Sequence, residues 1–432
     1  GKPRTYRPPQ LIRTTTQSER RHLRCPHNNK IVIAVIVVAC LSNIRVTAAA
    51  AVTSTNSDPP VMAFEYFTPL MGTLGGTTIG LSAASLLLFN GDILGASGII
   101  ASVFSRPRTA LTDSSSVWKL SLMGSFMVTS LLLPASLAAD TRLGSDPTVP
   151  IPSAFAMTAA GLIVGIGTRL GNGCTSGHGI CGLGRKSPRS LAGVMTFMAT
   201  AISTIYLTSP SFKPLAKFTE ILRADSTTQF DTTLGYSATL VVLAALASFP
   251  IRAILSKKSK GGDYDEKKKN EDVVVPRSDM KKVPGGTLSG ALFSAGLGMS
   301  GMILPSKLYG FLNISGIADG TWDPTLCCVM GAGVVVSLVS YQYVPGFALG
   351  DSSDKQLGHP VNASSWCGVP KNRSLDWKLL AGEALFGVGW ALGLLCPGPA
   401  LYHVAIGDPL VIFQWMPAFL VGGAIADFIK TL

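Results

Sequence analysis

Residues 169–190, RLGNGCTSGHGICGLGRKSPRS, place two thiols and an imidazole among six glycines. The thiols belong to Cys174 and Cys181, and His178 lies between them. Cysteine and histidine are ligands of zinc, and a thiol beside a base can act as a nucleophile. A cysteine that simply packs as a small hydrophobic residue is the third interpretation of the same pattern.

The spacing bears on each alternative. Seven residues are two turns of an α-helix, so both thiols would face one side with Cα atoms about 10 Å apart, beyond disulfide range. A zinc site needs about four ligands, for which His178 and Cys396 are the further candidates. A nucleophile would need His178 as its base. Metal, nucleophile and structural cysteine all stay open at this point.

The glycines favour an anion as the ligand, because they let backbone N–H groups approach it closely. GNGCTSGHG opens one short helix and CPGPAL, residues 396–401, opens another, with Pro397 in its first turn. Each helix N-terminus adds a partial positive charge. An anion that also contacts thiols is expected to carry a soft atom, which favours a sulfur oxyanion over phosphate or chloride.

The composition is that of a polytopic membrane protein. Only 14% of the 432 residues are charged, 46 are glycine, and the mean hydropathy is +0.38. Most of the net charge of +12 lies in residues 1–30 and 252–282. These segments indicate cytoplasmic flanks or solvated tails rather than a nucleic-acid-binding surface. The eight cysteines do not suggest the disulfide framework of a small secreted domain.

The apolar segments predict an all-α polytopic membrane protein with about nine transmembrane helices and short re-entrant half-helices. The expected spans are 69–90, 116–139, 151–171, 188–209, 232–254, 285–304, 324–345, 378–395 and 409–430. Four shorter apolar pieces, which are 93–104, 174–184, 303–315 and 397–407, are too short to cross a bilayer.

Four regions follow from this pattern. Residues 1–60 are a basic leader with a signal peptide or anchor and a polar linker, and 61–255 are the first transmembrane half. Residues 256–284 are a charged cytoplasmic linker, and 285–432 are the second transmembrane half. Five spans before the linker would give the second half the opposite orientation, as in transporters built from inverted repeats.

The two halves also resemble each other in sequence. GIGTRLGNGC at 165–174 aligns without gaps to GVGWALGLLC at 387–396, which pairs Cys174 with Cys396. GASG at 95–98 resembles GMSG at 298–301. We therefore expect two pseudo-symmetric inverted halves with a site between them.

Four stretches carry a resemblance to a known family: GNGCTSGHGICGLGRKSPRSLAGVMTFM, GLGMSGMILPSKLYGFLNI, WDPTLCCVMG and GVGWALGLLCPGPAL. They closely resemble the YeeE/YedE sulfur-transport family of membrane proteins, from about residue 70 to 430 apart from the linker. The resemblance implies uptake of thiosulfate or a related sulfur species through an hourglass-shaped protein of two inverted halves. It also implies that Cys174, Cys181 and Cys396 line the path and pass the substrate along by S–H hydrogen bonds. The long linker, the leader and Leu394–Leu395 depart from the family pattern.

These arguments give one set of expected substrate-binding residues and no catalytic residue, metal ligand or cofactor. The set is Cys174, Cys181, Cys396, Gly173, Thr175, Ser176, His178, Gly393 and Pro397. The expected partners are thiosulfate or a related sulfur oxyanion and the lipid bilayer, with a cytoplasmic sulfur-acceptor protein as a further candidate and no nucleic acid. The membrane would be the plasma membrane or that of an organelle. A membrane sulfurtransferase with a persulfide cysteine, and a permease for selenium or another sulfur compound, are the alternatives.

Four other polar residues lie in or beside the apolar segments. Glu383, near the start of its span, is expected to face water, and Arg169 to extend to the interface. Lys307 is expected at a mouth of the protein or as an interfacial anchor. Asp323 is expected to cap the helix that follows it.

Overall fold

The computed structural model describes residues 67–105, 116–133, 143, 152–208, 279–318, 320–342, 360, 369–370 and 374–431. Within these ranges the chain is helical and contains no strand. The helices are α1 (Pro69–Asn90), α2 (Ala96–Ser105), α3 (Val117–Leu132), α4 (Ala154–Gly171), a π-helical turn (Thr175–Gly182), α5 (Pro188–Thr208), a 3₁₀ turn (Asp279–Lys282), α6 (Val283–Met299), α7 (Pro305–Leu312), a 3₁₀ turn (Ile314–Ile317), α8 (Thr325–Gln342), α9 (Trp377–Gly393), α10 (Pro397–Ala405), a second π-helical turn (Val411–Trp415) and α11 (Met416–Thr431).

Five helical segments are long and apolar enough to cross a membrane. They are Pro69–Asn90, Ala154–Gly182, Pro188–Thr208, Trp377–Ala405 and Val411–Thr431. Two shorter apolar helices, Val117–Leu132 and Thr325–Tyr341, coincide with two further predicted spans. The predicted span 232–254, the leader and nearly all of the linker lie outside the described residues, so the total of nine stays a prediction.

The helices form two sets of six segments, with the first π-helical turn counted as a segment: α1 to α5 and α6 to α11. Each set contains a long helix, a short one, two long ones, a short segment and a long one. Each long helix of one set has packing partners that correspond to those of the long helix at the same place in the other set. Helix α1 packs on α6 and α8, and α6 packs on α1 and α3; α4 packs on α9 and α11, and α9 packs on α4 and α5.

Equivalent helices of the two sets run antiparallel. Ser82 of α1 hydrogen-bonds with Ser289 of α6, Oγ to Oγ at 3.0 Å, while the later Asn90 reaches the carbonyl of the earlier Lys282. In α4 and α9, Gly167 lies against Gly382 and Phe386, and Gly389 lies against Ala160 and Val164. As residue numbers rise along one helix of each pair, those of its partner fall.

Glycine allows these helices to approach one another closely. A Cβ added at Gly165 of α4 would overlap the carbonyl oxygen of Phe419 in α11, and one at Gly387 of α9 would overlap that of Phe197 in α5. The sequence alignment pairs Gly165 with Gly387. Extended without gaps toward the C-terminus, the same alignment pairs Phe197 with Phe419. Small residues at such crossings permit backbone contact between helices in a membrane.

The second short repeat does not hold in the structure. GASG begins α2, with Ala96 as the first helical residue, whereas Gly298 and Met299 of GMSG end α6. Gly301, the last residue of GMSG, has φ +69° and lies in the turn that joins α6 to α7. Shared small residues at unrelated positions of the two sets therefore produced that likeness.

We predict that Gly165→Ala destabilises the protein by about 1–3 kcal/mol, because its methyl group must displace the backbone of α11. Gly124 in α3 is the matched control, since a Cβ there would meet open space. Gly124→Ala should leave the thermal unfolding midpoint of the purified protein unchanged or slightly higher. Equal midpoints for the two variants would contradict the packing described.

Candidate functional site

Both cysteine motifs begin at the same kind of helix break. Helix α4 ends before Asn172, which is left-handed with φ 60°, and α9 ends before Leu394, which is left-handed with φ 49°. Two residues later Cys174 and Cys396 are extended and cap the next helical segment. A left-handed residue stops a helix, and an extended residue starts the next in a new direction. Each cysteine thus lies at the N-terminus of a short helix.

The two motifs meet at one cavity of about 50 Å³. Its polar wall is formed by Cys174, Thr175, Ser176 and Cys396, and the Thr175 hydroxyl donates to Cys396 Sγ at 3.7 Å. Cys174 Sγ lies 3.3 Å from Ser176 Oγ. The remaining wall is apolar: Ile79, Ile180, Phe293, Leu297, Met302, Leu308, Leu326, Val329, Met330, Trp390, Leu394, Gly398 and Pro399. A ligand here would meet thiols, hydroxyls and an otherwise apolar surface.

Cys181 is buried but is not among the residues that line this cavity. Its thiol donates instead to the carbonyl of Leu94, at 3.7 Å, in the loop before α2. The expectation that two α-helical turns separate it from Cys174 is wrong, because residues 175–182 form a π-helix. The i→i+5 hydrogen bonds of a π-helix change which residues share a face.

A larger basin of about 440 Å³ lies on the other side of the glycine-rich turn. Gly173, Gly177 and His178 line the basin, whereas the intervening Cys174, Thr175 and Ser176 line the cavity. Of the described residues that line the basin, four are cationic, Lys119, Arg169, Arg185 and Arg189, and one is acidic, Asp92. This excess of positive charge attracts anions to the turn.

Neighbouring groups hold the three arginines of this basin. Arg185 donates to the Pro370 carbonyl at 3.0 Å, and Arg189 donates to the Ser374 carbonyl and to Asp376 Oδ2 at 2.6 and 2.8 Å. Arg169 Nε lies 2.6 Å from Asp427 in a half-exposed pair, as expected for a side chain that reaches the interface.

His178 ties the turn to its surroundings. Its Nδ1 lies 3.0 Å from Ser190 Oγ, and its Nε2 lies 3.3 Å from the Gly171 carbonyl and 3.2 Å from Glu383 Oε1. Gly173 is required beside it, because a Cβ there would overlap the imidazole ring. The expectation that Glu383 faces water is wrong: its relative exposure is 0%.

Comparisons with known proteins show which family the sequence resembles. Residues 10–203 match a family model described as "Sulphur transport", and residues 282–432 match a family of unknown function, DUF6691. A "Probable transporter" of Xylella fastidiosa strain Temecula1 is 37% identical over 141 residues, which are 32% of this chain and 93% of that protein. The chain belongs to the YeeE/YedE-like sulphur-transport family.

Further relatives of this sulphur-transport protein carry the same name. Two of them come from X. fastidiosa strain 9a5c, at 36% identity over 141 residues and 35% over 126 residues, covering 93% and 77% of their lengths. These alignments span 32% and 29% of this chain. No solved structure matches it. The family and the five span-capable helices make it a multi-pass integral membrane protein and a membrane transporter.

The structure of this sulphur-transport protein brings most of the expected site residues together. Pro397 is a buried residue in the first turn of α10, and Gly393 packs against Ala160 and the Trp415 indole rather than lining the cavity. Among the described residues no three His, Cys, Asp or Glu side chains are grouped so that they could hold a metal ion. Sequence reasoning missed the burial of Glu383 at the site. The presence of an acid within the apolar run WKLLAGEALFGVGWALG could have indicated it.

A buried ion pair ties the start of α1 to α7 and α8. Lys307 Nζ lies 2.9 Å from Asp323 Oδ2 and donates to Thr68 Oγ1 at 3.1 Å. Asp323 Oδ1 also accepts from the Thr325 N–H at 2.9 Å, which confirms its expected capping role. Lys307 is 5% exposed and so is not an interfacial anchor.

Asp376 is predicted to stabilise the basin wall, because it caps α9 through the Leu379 N–H and orients Arg189. The hydrogen bond from Arg189 holds the pKa of Asp376 below its ordinary value. The stabilisation is therefore present above the unfolded-state pKa, about 3.9, and is lost as pH falls through the lower folded-state pKa. Asp376→Ala should cost about 1 kcal/mol at neutral pH, and its melting curve should approach that of wild type in acid. A difference in melting temperature between Asp376→Ala and wild type that stays constant down to low pH would contradict this role. Asp427→Ala is the control, because Asp427 forms an ion pair with Arg169 but does not cap a helix.

Proposed function

We propose that this protein takes up thiosulfate or a related sulfur-containing anion, and that Cys174 and Cys396 hand it across the centre of the membrane. The observation that carries the proposal is the shared cavity of these two cysteines, with the Thr175 hydroxyl directed at Cys396 Sγ. The family and the named relatives support a sulfur compound as the substrate class.

In this proposal the basin attracts the anion, and the cavity binds it weakly enough to release it. The four cations around the basin raise the local anion concentration. Beyond the turn, none of the described residues that line the cavity is Lys or Arg. A dianion there meets neutral donors and two short-helix N-termini, which favour binding without a fixed ionic partner. Conduction requires such a site, because the substrate must also leave it.

Thiols suit a substrate with an exposed sulfur atom. A thiol is a weak donor, so it can contact soft sulfur without trapping it. The Thr175 and Ser176 hydroxyls, near Cys396 and Cys174, can serve the harder oxygen atoms of the same anion. In this proposal Cys181 contributes a further contact once its thiol leaves the Leu94 carbonyl.

An inverted repeat is the architecture that we propose for the whole protein. The antiparallel pairs α1–α6 and α4–α9, and the packing that survives exchange of the two sets, support it. The left-handed residues Asn172 and Leu394 occupy equivalent places before the two cysteines. Each half then supplies one short helix and one central thiol.

Cysteine substitution tests the transfer. Cys174→Ala and Cys396→Ala should each reduce labelled thiosulfate uptake by reconstituted vesicles about tenfold or more, because the anion loses a donor in a site that excludes water. Cys181→Ala should also reduce uptake. Cys327→Ala and Cys328→Ala, on the partly exposed face of α8, are matched controls and should transport normally.

Wild-type uptake by a Cys174, Cys181 and Cys396 triple variant would end the thiol hypothesis. A persulfide on one of these residues as an obligatory turnover intermediate, detected by mass spectrometry, would instead indicate a sulfurtransferase. Competition by selenite, sulfate and sulfite separates thiosulfate uptake from a broader permease.

The basin predicts a separate kinetic effect. Lys119→Gln should raise the KM for thiosulfate about twofold to fivefold at low salt, with little change in maximal rate, because it weakens long-range attraction. The effect should shrink at high ionic strength. Lys186→Gln is the control, since Lys186 is exposed beside Arg185 but does not line the basin. A salt-independent change, or an equal change in the control, would count against electrostatic attraction.

A further inference from the structure

A carboxyl group is buried directly behind the anion-facing turn. Glu383 is completely buried in α9, where Gly171 and Gly193 leave room for it: a Cβ at Gly171 would lie 2.6 Å from Oε1, and one at Gly193 would lie 3.3 Å from Cγ. Its close ionic neighbour is His178 Nε2, 3.2 Å from Oε1. Within the described residues, neither carboxyl oxygen accepts a hydrogen bond of normal geometry.

Such a carboxylate is costly unless a proton accompanies it. A buried ionised group without hydrogen-bond donors loses its hydration and receives little in return. An ionised Glu383 beside a neutral His178 has a net charge of −1. One added proton makes the pair neutral overall, either as imidazolium with carboxylate or as imidazole with carboxylic acid.

At the positions that the alignment pairs with Glu383 and His178, the chain has residues that do not titrate. Carrying the alignment of Cys174 with Cys396 through the flanking helices pairs Glu383 with Gly161, His178 with Ala400, and Gly193 with Trp415. There the Trp415 backbone contacts Gly161, and its indole lies over Gly393. The architecture thus permits an apolar solution, and apolar replacements of buried ion pairs are often neutral or stabilising. Packing alone does not require Glu383 and His178.

The Glu383–His178 pair lies beside the proposed route of the substrate. His178 lines the basin. Gly173, which packs against the imidazole ring, directly precedes Cys174, and Cys174 lines the cavity. Among the described residues, the charged groups near the pair include Arg185 and Arg189 on the basin wall, Arg169 at the end of α4, Asp376 at the start of α9 and Lys430 of α11, which donates to Asn172 Oδ1. Arg169, Arg189 and Asp376 are held in ion pairs with carboxylate or guanidinium partners, and Arg185 is held by the Pro370 carbonyl.

We propose that Glu383 and His178 form a proton-binding site whose occupancy is linked to the anion, so that a proton gradient drives uptake. The inference rests on the proposed function. The proton enters from the basin through His178 and is shared between Nε2 and Oε1, while Ser190 Oγ stays hydrogen-bonded to Nδ1. No covalent bond of the substrate changes.

Electrostatics supplies the linkage. With the pair at −1, an anion at the glycine-rich turn is repelled; with the pair neutral, that repulsion disappears. Binding of the anion must strengthen proton binding by the same factor as the proton strengthens anion binding. An anion that moves on to the thiols removes this support, and gradient-driven uptake requires that the proton then leave to the side on which the anion is released.

The test uses the full-length protein in vesicles. We expect wild type to exchange labelled thiosulfate at equal pH, to accumulate it when the proton gradient favours entry, and to move protons detectable by a trapped pH dye under a clamped membrane potential. E383Q should lower the ratio of gradient-driven uptake to exchange about tenfold. E383D, which keeps a carboxyl group, should retain part of the ratio.

The pair His403 and Asp408 provides the matched control. It is also a buried histidine–carboxylate pair, at 3.3 Å, but lines neither the basin nor the cavity, and Asp408 accepts hydrogen bonds from the Leu143 and Leu410 N–H groups. D408N should keep the wild-type ratio. An unchanged ratio in E383Q, or an equal loss in D408N, would overturn the assignment.

If E383Q does not fold, measurements on the wild-type protein alone still test the proton-binding site. Thiosulfate exchange without proton movement or response to a pH gradient would overturn the proton site and leave the proposed function standing. Absence of thiosulfate transport in every mode, with folded protein in the vesicles, would instead refute the proposed function.

Discussion

The break in the helical backbone before each cysteine is the constraint on which the rest of the structure depends. Non-helical backbone at membrane depth is tolerated only where protein or a water-filled cavity surrounds it. The breaks at Asn172–Cys174 and Leu394–Cys396 are enclosed by helices that glycines bring into backbone contact. The glycines therefore have two functions: they permit close packing of the long helices and leave room for the turn between them.

The strain at the breaks is unequal. Asn172 adopts a left-handed conformation that asparagine tolerates, whereas Leu394 adopts it without that advantage. Leu394 also lines the cavity, so its side chain occupies space that a glycine would leave open. Leu394 thus adopts the same left-handed conformation as Asn172 and adds its side chain to the wall of the cavity.

Sequence reasoning located the helices well because apolar length is a strong signal. Predicted segment 69–90 matches Pro69–Asn90, and the short segments near Thr175 and Pro397 are helical. The pairing of Cys174 with Cys396 was also accessible, since glycine and cysteine recur at equal spacing. The direction in which the Cys181 side chain points could not be predicted, because it depends on a π-helix that the residue pattern does not indicate. The burial of Glu383 depends on glycines of two other helices, which only tertiary structure brings to it.

The cavity requires both sets of helices. One set supplies Cys174 and the other Cys396, so neither set by itself can place two cysteine-bearing helix N-termini against each other. The relatives that align over 93% of their length match only 32% of this chain, about the length of one set. Two sets within one chain need not be identical. Glu383 of the second set and His178 of the first form one pair, whereas the residues aligned with them, Gly161 and Ala400, carry no charge, and two identical sets would place two such pairs, or none, around the same path.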